Sequence, residues 1–206
     1  MVKDFSKWCE SSFLKINALK TKELIIDFRK NSPPHSPVFI HGQAVDTVQQ
    51  YKYLGTIIDS NLTFEANTDA ICAKAHQRMY FYRKLRSFNV DTTFMKMFYS
   101  CFIESVLTFS FICWFGSLTV DRCRLSNIVR MCGRIAGVSL QELAVLYRAR
   151  ATRKAHTILS DPTHPLASQY RLLPSGRRYM VPRQRTNRLR NSFVPISIGL
   201  INNLLC

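Results

Sequence analysis

Apolar residues at Phe5, Trp8, Cys9, Phe13 and Ile16 recur at helical spacing, so residues 4–16 predict an amphipathic helix. Glu23–Phe28 is a short apolar run between polar residues and predicts a strand. The three prolines in Asn31–Pro37 require a loop. Val38–Ile40 and Val45–Val48, joined by His41–Gly42–Gln43, predict a hairpin. Tyr51–Asp59 predicts a further strand with Gly55 inside it, where the missing side chain lets another backbone or a ligand come close.

Beyond Leu62 the period changes. Ile71, Ala75, Met79, Tyr82 and Leu85 step by four and three and mark one helix face. Phe94, Met97, Phe98, Cys101 and Phe102 open a second helix that runs through Leu107. Asp121–Ala136 and Leu140–Leu159 predict two more, with Gly116 and Gly137 where helices can stop. The most apolar stretch, Cys101–Leu118, contains Glu104 and falls short of the roughly 20 apolar residues of a membrane span. A buried helix is expected there and no membrane contact. The expected fold class is therefore α+β. A small β region in residues 1–60 precedes an α-helical block in 61–160 and an irregular basic tail in 161–206.

Charge sharpens this picture. The 206 residues include 29 Lys and Arg against 13 Asp and Glu, a formal charge of +16. Such an excess attracts polyanions: RNA, DNA or anionic lipid. Residues 147–190 hold eleven of the cations and one acid, Asp161. Within them Arg177, Arg178, Arg183, Arg185, Arg188 and Arg190 are the strongest electrostatic feature. Guanidinium forks match phosphate geometry, and binding through them weakens steeply with salt. A specific RNA site and a non-specific basic tail are both open readings. Helix 71–88 sets Lys74, Arg78, Arg83 and Lys84 beside Tyr80, Phe81 and Tyr82, a mixture that suits strand binding. Its core spacing means only one basic face can point to solvent.

Catalytic and metal motifs are missing from the sequence. The seven cysteines have no close pair, which excludes a zinc knuckle and favours a reducing intracellular compartment, cytoplasm or nucleus. The five histidines lie in no metal-ligand spacing, and there is neither a Gly-x-Ser-x-Gly elbow nor a Gly-rich phosphate loop. Met1–Glu10 is too charged for a signal peptide. No cofactor is expected.

The order of these motifs carries a resemblance. Residues Trp8–Arg29 (WCxxxxLxxNxxKTKELIxDFR) resemble the post-catalytic palm segment of non-LTR retrotransposon reverse transcriptases, and Tyr53–Leu54–Gly55 resembles their primer-grip strand. Lys84–Phe88, Ile103–Phe109, Cys113–Gly116 (CWFG), His164–Leu166 and Leu173–Tyr179 (LPSGRRY) resemble their thumb and C-terminal region. The resemblance implies a template–primer-binding fragment with a thumb-like helical block. It places Lys20 and Lys22 near an incoming triphosphate, and Tyr53 and Gly55 against a primer end. The family's polymerase centre uses aspartates that hold two Mg²⁺ ions, one pair usually in a Phe/Tyr-x-Asp-Asp turn. No Asp-Asp pair occurs here, and Asp27 and Asp59 are single acids. In-line attack on a triphosphate needs metals on both oxygens, so no polymerase activity is expected of this chain alone.

Two other readings stay open. The segment Leu24–Asp59 also resembles an N-terminal module of the eighth AlkB homologue, a family joining a 2-oxoglutarate dioxygenase to a tRNA methyltransferase. The chain lacks the His-x-Asp and Gly-rich turns of those activities, so only a non-catalytic module would be shared. Alternatively the helical block is a domesticated protein-interaction domain with a secondary basic tail.

Overall fold

The computed structural model describes residues 2–31, 33–118 and 121–204. Met1, Ser32 of the proline-rich loop and Cys206 of the seven cysteines lie outside them. The fold is α+β, with small two-stranded sheets and a larger helical region. The chain divides into two compact units, Met1–Ala66 and Asn67–Cys206. Residues 161–206 belong to the second.

The first unit opens with α1 (Val2–Ser11) and continues with six short strands: β1 (Lys22–Leu24), β2 (Phe39–Ile40), β3 (Gln43–Ala44), β4 (Asp46–Val48), β5 (Gln50–Tyr53) and β6 (Thr56–Asp59). Helix α1 stops short of the expected Ile16. The Leu14 amide turns back to the Cys9 carbonyl at 2.8 Å, and Phe13, at φ 57°, stands in solvent. The expected strand 23–28 shrinks to β1, because its parallel partner β4 is only three residues long. Past it, Asp27 accepts from the Arg29 amide and guanidinium, which bends the chain away. A hairpin forms at the expected place, but tighter: β2 pairs with Gln43–Ala44 across the two-residue turn His41–Gly42, and the expected second strand, Val45–Val48, gives β4, which pairs in parallel with β1 instead.

The expected strand 51–59 is instead a second hairpin, β5–β6. Leu54 (φ 45°) and Gly55 (φ 90°) form its two-residue turn. Two left-handed residues match the twist of antiparallel strands, so Gly55 serves a turn and not a strand interior. After β6, Asp59 accepts hydrogen bonds from the amides of Asn61, Thr63 and Phe64 and from the Thr63 hydroxyl. Partial burial raises its pKa, but these four donors outweigh burial and hold it below the usual carboxylate value.

The second unit is helical: α2 (Glu65–Ser87), α3 (Thr92–Phe98), α4 (Ser105–Leu107), α5 (Phe111–Trp114), α6 (Asp121–Ala136), α7 (Leu143–Leu159), α8 (Asn187–Arg190) and α9 (Phe193–Leu204). Helix α2 buries Ile71, Ala75, Met79 and Tyr82, the expected face. Asp91 caps α3 by accepting from the Thr93 amide.

The next stretch reverses an expectation. Phe94, Met97 and Phe102 are exposed, and the buried row is Met95, Tyr99, Ile103 and Leu107. A strict four-residue step drifts about 40° per step in an α-helix of 3.6 residues per turn. The π-helical turn Tyr99–Glu104 between α3 and α4 underwinds the backbone and keeps these four on one side. Both faces of the segment are apolar in sequence, so packing against α6 selects one.

Ser110, at φ 49°, breaks the helix before α5. Phe111, Trp114 and Phe115 then pack on α7, with Phe111 edge-on to Trp114 and to Tyr147. The buried Trp114 indole donates to the Phe109 carbonyl at 2.9 Å. Among the described residues no single helix is long and apolar enough to cross a membrane. The pair Thr92–Leu107 and Phe111–Ser117 passes on length and composition together but is bent by 43°.

Helix α9 has no counterpart in the sequence reading. It lies on α7, where Ile198 and Ile201 join Ala155, Ile158 and Tyr170 in one buried cluster, and the Tyr170 hydroxyl meets Ser197 Oγ at 2.7 Å. The basic segment before α8 is largely irregular, as expected, yet anchored. Leu172 bridges to Tyr179, and Asn202 of α9 clamps the Tyr179 backbone through both its amide oxygen and nitrogen.

Two outcomes test this packing. Trp114→Ala is expected to cost about 3–5 kcal/mol in urea unfolding, since it removes an aromatic group from a filled core. Asp59, with its folded pKa below the unfolded value, stabilises its turn above the ordinary carboxylate range and releases it as pH falls through the folded value. Hydrogen-exchange protection at the Asn61, Thr63 and Phe64 amides should drop at acid pH, and Asp59→Asn should lower it at neutral pH.

Candidate nucleic-acid interface

Helix α2 turns its core residues inward, so its remaining positions form a solvent face. Lys74, Tyr80, Phe81, Arg83 and Lys84 are exposed on it, with Tyr80 and Phe81 each more than half accessible. The two rings meet edge to face at 5.5 Å, and the Lys84 ammonium sits 5.9 Å from the Tyr80 ring centre. Rings that can stack on bases therefore stand beside cations that can meet phosphates. Arg78 behaves differently. It is half-buried and its guanidinium donates to the Phe102 carbonyl, which ties α2 to the π turn.

The tail arginines fall on the hairpin-like 172–179 segment and on α8. Arg177 and Arg178 occupy the exposed bend next to Gly176, which takes φ 68°. Arg183 and Arg185 lie in the irregular stretch that follows, and Arg188 and Arg190 are on α8. All six are exposed.

The first unit holds the other four predicted residues. Lys20 is exposed in the turn after α1, where its amide bonds to Asn17. Lys22 makes an ion pair with Asp46 at 2.5 Å, so its charge already has a partner. Tyr53 is 59% exposed at the end of β5, and Gly55 sits in the hairpin turn.

Three arginines that the sequence reading passed over, Arg122, Arg130 and Arg134, border the clearest groove. Arg122, Ser126, Arg130 and Arg134 step by four along α6 and line a cleft of about 880 Å³ between α6 and α7. Val129, Val138, Leu140 and Leu143 form its apolar part, and Glu142 adds one carboxylate. The chain turns back at Gly137 (φ 71°), where the Val138 amide bonds to the Gly133 carbonyl. Gly133 has to lack a side chain, because a Cβ there would lie 2.8 Å from the Val138 carbonyl. Arg122, Arg130 and Arg134 are spaced by eight and four residues in the sequence, a weaker signal than the denser tail.

The three arginines are committed to different degrees. Arg122 donates from Nε and NH2 to the Phe115 and Gly116 carbonyls and lies over the Phe115 ring at 5.2 Å. Arg130 donates to the Asn127 side chain. The Arg134 guanidinium makes no hydrogen bond or ion pair among the described residues. Arg124, on another side of α6, is neutralised by Asp69 at 2.7 Å and Asp121 at 2.9 Å. Among the described residues the cations of the α6 row thus form no ion pair with an acid.

Nucleophilic and metal chemistry have little to work with here. The six described cysteines are free thiols. Burial pushes the Cys132 thiol up to about 12, where it stays protonated. Among the described residues no three of His, Cys, Asp and Glu come together as metal ligands.

Comparison with known proteins adds two similarities. Residues 64–105 match the family described as alkylated DNA repair protein alkB homolog 8, N-terminal. That match covers α2, α3 and the π turn, downstream of the Leu24–Asp59 segment on which the sequence reading put it. A probable RNA-directed DNA polymerase from transposon BS of Drosophila melanogaster is 35% identical over 72 residues. The matched stretch is 35% of this chain and about 8% of that protein's length. No solved structure matches significantly.

Because Arg130 and Arg134 are exposed and outside the core, the double variant Arg130→Gln/Arg134→Gln should keep its thermal midpoint, with stability within about 0.5 kcal/mol. A large loss would mean that they hold α6 and α7 together.

Proposed function

We propose that this chain binds nucleic acid in the manner of a reverse-transcriptase accessory region, with no polymerase centre of its own. The row Arg122–Arg130–Arg134 lining the α6–α7 groove carries this reading. Arg130 and Arg134 stand about 6 Å apart along the helix axis, with Arg122 about 12 Å further back along it, a row that suits tracking of a phosphate backbone. The α2 face of Lys74, Arg83 and Lys84 with Tyr80 and Phe81 supplies stacking and further charge. Arg177, Arg178, Arg183, Arg185, Arg188 and Arg190 supply a looser, sequence-independent attraction. Similarity to a transposon polymerase supports a template–primer role, in which this helical unit would act as a thumb. Lys20, Tyr53 and Gly55 belong to the same proposal through the resemblance alone. The absence of any Asp-Asp pair supports the lack of nucleotide transfer by this chain. Its free thiols fit a reducing compartment.

A second reading rests on the exposed apolar row Phe94, Met97 and Phe102 on α3 and the π turn. Such a strip suits a protein partner. It lies within the segment that matches the AlkB homologue family, so a shared protein-docking module fits both observations.

Fluorescence anisotropy with labelled single-stranded RNA, single-stranded DNA and duplex separates the two. On the first reading, log K falls against log salt with a slope of about −0.7 per phosphate neutralised on a single strand. Replacing Lys84, Arg130 and Arg134 by Gln should then flatten the slope by about 2. Binding that is absent at low ionic strength, or indifferent to salt, removes the nucleic-acid reading and leaves the apolar strip.

A further inference from the structure

The junction where α9 closes on the helical core contains a second cavity, which shares only Arg122 and Ala144 with the lining of the groove. Its volume is about 400 Å³, within the range of small-ligand sites. Apolar walls come from Phe115, Ala144, Ile196 and Leu200, and the polar lining from Arg122, Arg148, Asn191 and Asn203, with no carboxylate among the lining residues. The Arg148 guanidinium is exposed and makes no hydrogen bond or ion pair among the described residues. Tyr147, also in the lining, is 5% exposed, and its hydroxyl has no hydrogen-bond partner among the described residues. Burial raises that phenol's pKa, and the Arg122 charge opposes the rise. Gly116 lets the chain close tightly beside this cavity, because a Cβ there would lie 2.8 Å from the Tyr147 hydroxyl and closer still to the Asn191 carbonyl.

We propose that this cavity holds a phosphate monoester, on a free nucleotide or at the end of a nucleic-acid strand. Two guanidiniums without a carboxylate in the lining select an anion, and guanidinium donors fit phosphate oxygens best. Two asparagine side chains add neutral donors. A cavity of this size suits an end better than a running backbone, which distinguishes it from the larger α6–α7 groove. The apolar walls suit a nucleoside behind the phosphate. The choice of a nucleotide as carrier rests on the nucleic-acid reading above; the anion site itself does not.

Isothermal titration of the full chain at low ionic strength tests the site, using adenosine 5′-monophosphate, inorganic phosphate, and one short RNA with and without a 5′ phosphate. The monophosphate should bind saturably. Arg148→Gln, at an exposed position that leaves the core intact, should weaken it about tenfold, as expected for loss of a charged hydrogen bond. Asn203→Leu should weaken it too, while Arg130→Gln should not. Preference for the phosphorylated RNA identifies a strand end as the carrier, and binding of the monophosphate alone identifies a nucleotide. Absent saturable binding, or equal affinity in the Arg148→Gln and Asn203→Leu variants, overturns the site. RNA bound with a steep salt dependence but no phosphate preference would overturn it while leaving the groove reading intact. Monophosphate binding without RNA binding would do the reverse.

Discussion

The helical unit depends on one aromatic cluster, in which Phe111 and Phe115 pack against Tyr147 and Trp114 sits edge-on to both phenylalanines. Phe111 and Phe115 lie 4.2 Å apart by ring centres, and Phe115 meets Tyr147 at 5.3 Å. Such pairs contribute beyond the area they bury. Their larger consequence is positional. They hold the CWFG segment against α7, and from that segment the Phe115 and Gly116 carbonyls reach out to fix Arg122. Arg122 begins the row on α6 and also borders the cavity under α9. A change in this cluster would therefore move the basic groove and the small cavity together, without touching a cation on the surface.

Positive charge is arranged by the same packing. Like charges this dense repel, and a compact unit holds them only where each faces water or a partner. The structure uses both solutions. Arg124 is matched by Asp69 and Asp121, Arg78 by a backbone carbonyl, and Arg150 by the Thr108 carbonyl with Glu104 nearby at 3.8 Å. These cations brace helices. Arg134, Arg148, Lys74 and Arg83 face solvent and remain available. Composition counts all of them equally, so net charge overstates what a polyanion would meet.

The two units differ in what maintains them. The first is built from strands of two to four residues with short ladders. Five of its non-glycine residues, Phe13, His41, Leu54, Leu62 and Phe64, take positive φ, a conformation that costs most residues about 1–2 kcal/mol. Side-chain bonds such as those around Asp59 offset part of this. The second unit relies on buried apolar rows, with long helices whose cores are filled.

Sequence alone determined the elements that repeat. Helix α6 spans the expected Asp121–Ala136, and α2 buries the expected Ile71, Ala75, Met79 and Tyr82, because a sustained amphipathic period leaves one way to hide its apolar side. The α+β order, the presence of a hairpin turning at His41–Gly42 and the excess of cations were equally legible. Tertiary structure decided where the pattern was degenerate. Between Phe94 and Phe102 both faces are apolar, so contact with α6, aided by a π turn, chose Met95 and Tyr99 over Phe94 and Met97. At Leu54–Gly55, backbone φ values turned an apparent strand into a hairpin. Helix α9 is short and apolar, and α7 gives it a place. The grouping of Arg122 with Arg148, Asn191 and Asn203 joins residues up to 81 positions apart in the chain, a proximity that no local period encodes.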